Sequence, residues 1–526
     1  MNVAIENWAE QTPEKNRQQR RALVAALLGI VLTAVGLLLV LPQHYKQRAY
    51  LIDAGGCRLQ TTVYEPEGEA RGTVILLHGL VANRKIMTYI AEGFAGQRLR
   101  VFVPDLPGHG RTAGPFSPER AEECSESLLH ELRARGLAPP ESTLLVGHSM
   151  GGAIAIRVAA RVPVAGVIAI SPAPMRAAHG VPAETLLYSE PPALPPNTEV
   201  ISGSWEFDAM RGNAADLLQA GRDDHANLVV IPRGTHASLL SSAAALSEME
   251  AWAAEVLHFS NDDATRAALP SRLSTLGSLL GFVGLLLVAG PFLREAAGKV
   301  PTRREEEFAT GGAKTVAWWR ASCEILGAGM LAVLALRGWN PLKVVRLFEG
   351  DYLAGFLLLT GLLLTVLHWR AVSGAFDFPR ARALGAIFAG LALVLLFTAW
   401  CELTLSEAWL DAARWQRFPV IFLGVLPYLA VEEVLLGAPL ERRAGRRLLT
   451  ALFFRLLLWA ALLVGIIYLR SGEILVVLLS LYFAVFSVVQ RRAMDVVRTV
   501  TGAPAAAALF GAILLAGFFL VIFPLL

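Results

Sequence analysis

A serine between two glycines stands where an apolar strand pattern changes to a helical one. Within residues 142–149 a short apolar run leads directly into Gly147, typical of a strand buried on both faces, and a helical pattern of small residues follows. Gly147, Ser149 and Gly151 have the G-x-S-x-G spacing, in which a sharp strand-to-helix turn exposes the serine hydroxyl. The glycines let the two elements approach closely. Such a hydroxyl can attack a carbonyl carbon, so Ser149 is predicted to be a nucleophile.

Backbone N–H groups near this serine are suited to hold a negative charge. Met150 begins the predicted helix, and its N–H can face an oxyanion that develops on the attacked carbonyl. A second donor is expected after the next upstream apolar run, where His78 and Gly79 lead to Leu80. The N–H of Leu80 is the natural candidate. His78 lies in a glycine-flanked turn and is expected to be a structural hydrogen-bonding group.

The elements that must hold these groups alternate along the chain. Residues 57–66 alternate apolar and polar side chains, as a half-buried strand does. Residues 72–79 contain a continuous run of β-branched and apolar residues, the form of a strand buried on both faces, and residues 100–112 and 142–149 repeat that form. Helical patterns lie between these runs. The alternation predicts a doubly wound, mostly parallel sheet.

Residues 50–260 resemble the α/β-hydrolase family through four motifs that occur in the family's order. The motifs are LLHGL at 76–80, DLPGHGRT at 105–112, GHSMGG at 147–152 and PRGTHASLL at 232–240. The resemblance implies an α/β-hydrolase fold with Ser149 as the nucleophile and His236 as the general base. It also implies an acid on the loop that follows the strand pattern EVISG.

The sequence leaves two candidates for that acid. Glu206 stands three residues after Gly203, which is a common position in the family, whereas Asp208 has the commoner side chain. Either carboxylate would accept a hydrogen bond from the His236 ring, fix its tautomer and stabilise the imidazolium.

The chain is short where many members of this family insert a helical cap. Residues 176–197, about twenty in number, leave room for one helix and a loop at most. We therefore expect an open pocket, which suits a bulky or membrane-bound substrate.

The four cysteines give little information about the compartment. Cys57 and Cys124 fall in the hydrolase-like region, and a disulfide between them is possible but not indicated by their spacing. The expectation is two unpaired, buried thiols. No cysteine–histidine cluster suggests a metal, and the predicted chemistry requires no cofactor.

Most of the remaining chain is apolar. The protein is 54% hydrophobic and 17% charged, whereas soluble proteins carry about 25% charged residues. Residues 22–41 could cross a ~30 Å hydrocarbon core as an anchor after an N-terminal segment, 1–21. Residues 273–526 predict an α-helical transmembrane bundle of about eight more spans. These lie near 273–293, 315–336, 351–369, 383–403, 418–437, 448–469, 473–490 and 504–525.

The distribution of positive charge predicts the orientation of these nine spans. Nineteen Lys and Arg residues fall in the N-terminal segment and the short loops on its side, against six in the opposite short loops. Because cytoplasmic loops are enriched in Lys and Arg, the N-terminus is expected in the cytoplasm and residues 50–260 outside it. The net charge of +3, with no basic face bearing aromatic residues, argues against nucleic acid as a partner.

These features together predict a membrane-anchored serine hydrolase that cleaves an ester through an acyl-enzyme on Ser149. Membrane lipids are the expected partners and a lipid or lipid-linked ester the expected substrate, because the spans hold the domain at the bilayer. Acyl transfer to an alcohol is an alternative, since its first half-reaction is the same. The other alternative is a transport or sensing membrane protein in which the hydrolase fold is a binding or processing module.

Overall fold

The computed structural model of the protein describes most of the chain in two packed parts, a sheet domain and a helical bundle. The described residues are 13–40, 46–220, 226–260, 269–296, 318–376, 380–437, 444–468, 475–476 and 479–526. The sequence predictions for loops 297–317 and 438–443, and for Arg470, lie outside these residues.

The sheet domain is built on eight strands in the order β1-β2-β4-β3-β5-β6-β7-β8. The strands are β1 (Lys46–Ala54), β2 (Cys57–Glu65), β3 (Gly72–Leu77), β4 (Leu99–Pro104), β5 (Thr143–His148), β6 (Gly166–Ile170), β7 (Thr198–Gly203) and β8 (Ala226–Ile231). β1 and β2 form an antiparallel hairpin at one edge, and the strands from β4 to β8 are parallel. The predicted mostly parallel sheet is confirmed.

Helices cover both faces of this sheet, as its continuously buried central strands require. The helices are α2 (Thr88–Gly96), α3 (Pro118–Ala134), α4 (Met150–Ala159), α5 (Asp208–Ala220) and α6 (Ala243–Val256). Helices α3, α4 and α5 share one apolar core with the sheet, and α2 and α6 share the other. The parallel strands therefore end at one common edge, where the following loops converge.

A disulfide joins Cys57 on β2 to Cys124 on α3. The prediction of two unpaired thiols was wrong. The β1–β2 hairpin packs across α3 and brings the two Cα atoms to 5.5 Å, a separation that a disulfide can bridge. This contact depends on how the hairpin folds over the helix, and residue spacing does not reveal it.

The first helix of the chain and most helices of the bundle are long and apolar. They are α1 (Pro13–Val40), α7 (Leu269–Ala296), α8 (Trp318–Leu336), α9 (Gly350–Leu367), α11 (Arg380–Thr404), α12 (Ala412–Leu435), α13 (Ala444–Tyr468), α14 (Ser480–Thr501) and α15 (Pro504–Ile522), with the short α10 (Trp369–Ala375) after α9. By length and composition, eight helices of the described chain could cross a membrane. The helix not among them is α14. It begins inside the predicted segment 473–490, most of which is described, and continues past it into charged residues.

Charged side chains are paired inside the bundle. Arg455 on α13 donates two hydrogen bonds to Glu432 on α12, at 2.7 and 2.9 Å. Glu433 is completely buried and contacts further arginines. These are Arg447, Arg491 and Arg498. Removing one partner from such a buried network would leave an uncompensated charge, so the network fixes how α12, α13 and α14 pack.

The bundle contacts the sheet domain at the edge where the parallel strands end. The N–H of Phe116 donates to the carbonyl of Leu525, and the N–H of Leu525 donates to Gly108, at 2.7 and 3.3 Å. Leu525 also pairs with Leu347, which precedes α9. The loop after β4 is thereby joined to the bundle through backbone hydrogen bonds.

Candidate active site

Ser149 occupies the turn between β5 and α4 in a conformation that few residues adopt. Its backbone angles are φ 54° and ψ −116°, outside the regions that side-chain-bearing residues normally populate. The surroundings hold it there: its N–H donates to Ile170 at 2.9 Å, and its carbonyl accepts from Ala153 and Ala173 at 3.1 and 2.9 Å. The side chain is partly exposed at the common edge of the strands.

The flanking glycines are required by close contacts between backbones. A Cβ on Gly147 would lie 2.1 Å from the carbonyl oxygen of Gly151, and one on Gly151 would lie 2.3 Å from that of Leu77. Both distances are far below van der Waals contact. The G-x-S-x-G spacing therefore has a steric origin here, because β5, α4 and β3 meet with no room for side chains.

His236 and Glu206 meet at the same edge. The Nδ1 atom of His236 donates a hydrogen bond to Oε1 of Glu206 at 3.1 Å. The Glu206 side chain is completely buried and that of His236 is 24% exposed. Asp208 lies elsewhere: it begins α5, its side chain is 89% exposed, and it pairs with Arg211. Of the two acids that the sequence offered, the structure brings Glu206 to His236.

Two serines that the sequence analysis did not identify also contact Glu206. The Oγ atom of Ser171 donates to Oε1 and lies 2.8 Å from Nδ1 of His236, and the Oγ atom of Ser202 donates to Oε2 at 2.7 Å. Burial by itself would raise the pKa of Glu206. The hydrogen bonds from His236, Ser171 and Ser202 outweigh burial, so the pKa lies below its usual value and the carboxylate stays charged.

Ser171 and Ser202 belong to the ends of two neighbouring strands. Ser171 follows β6 directly and Ser202 lies near the end of β7. Polar residues at the carboxyl ends of adjacent parallel strands converge on one edge of the sheet. That position was the available signal in the sequence, although no motif marks either residue.

The neighbouring histidines contact the backbone and act as scaffold. Nε2 of His148 donates to the carbonyl of His236 at 2.9 Å, and burial lowers the pKa of His148 to about 3, which keeps the ring neutral. Nδ1 of His78 donates to the carbonyl of Gly79, while its Nε2 accepts from the N–H of Leu106 at 2.9 Å. Among the described residues, no group of three or more His, Cys, Asp or Glu could hold a metal ion.

The two expected oxyanion donors, Leu80 and Met150, belong to segments adjacent to Ser149. Met150 is the first residue of α4, where N–H groups have no partner within the helix. Leu80 follows Gly79, and a Cβ built on Gly79 would lie 3.1 Å from Cβ of Ser149. The turn is closed by a hydrogen bond of 3.2 Å from the N–H of Ala82 to the carbonyl of Gly79.

The segment between β6 and β7 lies against the sheet domain and forms no helical cap. Its regular structure is a single short 3₁₀ turn, Ala183–Thr185. The Tyr188 hydroxyl donates to the carbonyl of Pro118, and the Arg157 side chain donates to Oγ of Ser189. These contacts hold the segment on the face formed by α3 and α4.

Comparison with known proteins identifies the fold of this domain. Residues 74–309 match the model of the alpha/beta hydrolase family. The sheet domain is an α/β-hydrolase domain. The sheet order, the strained serine between β5 and α4, and the contact of Glu206 with His236 all agree with this fold.

Individual relatives match only part of the chain. Lipase 1 of Psychrobacter immobilis is 38% identical over 103 residues, which are 19% of this chain and 31% of that lipase. Monoacylglycerol lipase of Mycolicibacterium smegmatis is 33% identical over 113 residues, 21% of this chain and 40% of that enzyme. The chain thus spans less than half the length of either relative. The crystal structure of the alpha/beta hydrolase GrgF from Penicillium sp. sh18 aligns with this chain at 11% sequence identity and a TM-score of 0.35. The alignment covers 41% of this chain and all of GrgF.

Proposed function

We propose that this protein is a membrane-bound serine hydrolase that cleaves carboxylic esters through an acyl-enzyme on Ser149. The observation that carries the proposal is the strained, partly exposed Ser149 on the same edge as the His236–Glu206 pair. Strain of this kind persists where the surroundings impose it, and it is concentrated at functional sites. In this proposal Glu206, and not Asp208, is the acid of the triad.

The reaction follows from the roles of these groups. His236 takes the proton from Oγ of Ser149 as Oγ bonds to the ester carbonyl carbon, and the N–H groups of Leu80 and Met150 bind the oxyanion. The carbon–oxygen bond to the alcohol then breaks, and His236 returns its proton to the leaving oxygen. Water then bonds to the acyl carbon as His236 takes its proton, the bond to Oγ of Ser149 breaks, and His236 returns the proton to Oγ, which releases the acid and restores Ser149. Glu206 orients the ring and stabilises the imidazolium throughout.

A lipid ester is the substrate class that the molecule supports best. The eight apolar helices keep the domain at a bilayer, the segment between β6 and β7 leaves the site without a helical cap, and relatives are named as lipases. A lipid of the same membrane is therefore available to Ser149 at high local concentration.

The sheet domain is proposed to lie outside the cytoplasm, with the N-terminus inside. The excess of Lys and Arg on the N-terminal side of the spans supports this orientation. The Cys57–Cys124 disulfide supports it independently, because structural disulfides persist in oxidising compartments.

Labelling by a fluorophosphonate, which reacts with activated serines, tests the proposed triad. We expect full labelling of the parent, none in Ser149→Ala, and a loss of at least a hundredfold in rate in His236→Ala and Glu206→Ala. Asp208→Asn is the matched control and should be labelled at the parent's rate. A folded parent that resists the probe would refute the proposed activity, and loss of labelling in Asp208→Asn alone would refute the choice of acid.

A further inference from the structure

The loop between α11 and α12 reaches the α/β-hydrolase domain beside the proposed oxyanion donor. We define residues 402–411 as the docking loop and residues 78–82 as the oxyanion turn. The three residues that follow the turn, 83–85, each contact the docking loop. The Asn83 amide donates to Oγ of Ser406 at 2.7 Å, and Nζ of Lys85 lies 3.3 Å from Oε1 of Glu402.

Arg84 is the centre of this contact and is buried between two carboxyl groups from different parts of the molecule. Its guanidinium contacts Asp105, from the hydrolase domain, and donates to Oε2 of Glu407, from the docking loop, at 2.9 Å. The three side chains are 6%, 0% and 2% exposed. The N–H of Arg84 also donates to Asp105 at 2.8 Å, so both backbone and side chain are fixed. Water is excluded from this contact, which makes its geometry costly to change.

The docking loop is itself ordered by hydrogen bonds. Oε2 of Glu402 accepts from the N–H groups of Ala408 and Trp409 at 3.0 and 3.2 Å, which closes the loop on the end of α11. Oε1 of the same carboxylate contacts Arg111 of the hydrolase domain. The loop therefore presents a built surface to the hydrolase domain.

The oxyanion turn also packs directly on the bundle. Leu80 packs against the apolar core of the bundle and against one core of the hydrolase domain, and Val81 packs against the core of the bundle. Both residues belong to the loop after β3. Val81 has φ 57°, a conformation that a β-branched residue adopts only when its surroundings impose it. The backbone of the turn is thus held from the hydrolase side and from the bundle side.

A row of rings makes a second connection to the same turn. Phe348, just before α9, packs edge-on against Phe116, which packs against His109, which in turn packs against His78. The successive ring centroids are 5.2, 5.1 and 5.1 Å apart. His78 is the first residue of the oxyanion turn, so this row of rings links the turn to the bundle through contacts separate from those of Leu80, Val81 and the docking loop.

We propose that the helical bundle is part of the catalytic unit because its docking loop positions the oxyanion turn. Glu407, acting through Arg84, is the main positioning residue, and the N–H of Leu80 is the group that it places. This inference rests on the proposed serine hydrolase activity. Removing one oxyanion donor typically costs about 10²–10³ in kcat, so a displaced donor lowers kcat while substrate binding is little changed.

The test compares full-length variants in detergent with p-nitrophenyl butyrate, a water-soluble ester that needs no bilayer. Glu407→Ala should lower kcat by about tenfold or more and change KM by less than about twofold. Glu407→Gln keeps an acceptor for Arg84 and should restore most of kcat. Glu122→Ala is the matched control, because it also removes a buried carboxylate that pairs with arginines, Arg157 and Arg161, but lies away from the turn. It should keep the parent's kcat.

Ser406→Ala removes one neutral hydrogen bond and supplies the test if Glu407→Ala does not fold. Its kcat should fall about two- to threefold, with the fluorophosphonate labelling rate falling in parallel. A parental kcat in a folded Glu407→Ala or in Ser406→Ala would overturn the inference, as would an equal loss in Glu122→Ala. A parent that neither hydrolyses the ester nor reacts with the probe would instead refute the proposed function itself.

Discussion

Ser171 shares the contact between the proposed acid and base. Its hydroxyl donates to Glu206, and its oxygen lies nearer to Nδ1 of His236 than the carboxylate does, at 2.8 against 3.1 Å. The imidazole N–H can therefore divide its hydrogen bond between the hydroxyl and the carboxylate. The negative charge that stabilises the imidazolium resides on Glu206 alone, which makes the two contacts unequal.

Separate replacement of Ser171 and of Glu206 distinguishes the orientation of the His236 ring from the negative charge that stabilises its imidazolium. Ser171→Ala leaves the hydrogen bond from His236 to Glu206 in place, so kcat should stay within about tenfold of the parent. Glu206→Ala removes the charge, and in triads of this kind losing the acid costs about 10⁴. Steady-state hydrolysis of p-nitrophenyl butyrate measures both. Equal losses in the two variants would mean that Ser171 is as essential as the proposed acid.

At this scale the sequence predicted the residues that motifs mark and left open those that packing decides. Ser149 was predicted from its glycine-flanked turn, and His236 from the resemblance to the α/β-hydrolase family. The choice between Glu206 and Asp208 depends on where α5 begins, since Asp208 in its first turn points to solvent. Ser171 was not identified, because its only signal is its position at a strand end and no motif connects it with His236, which is distant in sequence.

Among the elements, apolar strands were predictable and tertiary contacts were not. Strands β3, β5 and β6 are buried along their whole length, and their sequences are apolar for that reason. The Cys57–Cys124 disulfide depends on the hairpin crossing α3. Helix α14 extends beyond its predicted span because its second half is buried through ion pairs instead of apolar side chains. The docking loop has no sequence signal at all.

The contact between the docking loop and the hydrolase domain should depend on pH. Burial and the neighbouring Asp105 carboxylate together raise the pKa of Glu407 to about 8, although Arg84 opposes the shift. Arg111 and Glu402 also face this group. In the unfolded chain the proton leaves at the ordinary carboxyl pKa of 4.5. Folding therefore favours the protonated form of Glu407. Its contribution to the free energy of unfolding is complete below pH 4.5 and is lost as the pH rises through about 8.

Thermal unfolding from pH 5 to 9 in the parent and in Glu407→Gln measures this effect. The Tm of the parent should fall more steeply with rising pH, because the glutamine has no proton to lose. Burial also raises the pKa of Glu199 and of Glu250 to about 8, but these groups are present in both proteins. The difference between the two curves therefore isolates Glu407. Parallel curves would contradict this account.

In the whole molecule, one face of the bundle meets the active-site edge of the hydrolase domain. The contacts come from loops 337–349 and 402–411 and from residues 523–526, all at the same ends of their helices. In the proposed orientation, which the excess of Lys and Arg on the N-terminal side supports, the opposite ends lie in the cytoplasm. Hydropathy along the sequence predicts the division into a hydrolase domain and a helical bundle. It does not predict how the two parts dock, because polar contacts determine that.

Cysteine labelling in intact cells tests the proposed orientation. In a Cys323→Ser, Cys401→Ser background, a membrane-impermeant maleimide should react with Glu141→Cys, which is exposed on the hydrolase domain. Glu305→Cys, between α7 and α8 in the sequence, should react only after the membrane is opened. The reverse pattern would show that the hydrolase domain faces the cytoplasm.

In the proposed function, attachment to membrane-spanning helices on both sides of the hydrolase domain changes the space in which it meets a substrate. Five residues separate α1 from β1 and twelve separate α6 from α7, and five residues reach at most about 18 Å. For a lipid ester, the encounter is then a two-dimensional search within one membrane. The turnover of each enzyme molecule should follow the mole fraction of substrate in its own bilayer and be indifferent to dilution of the surrounding medium.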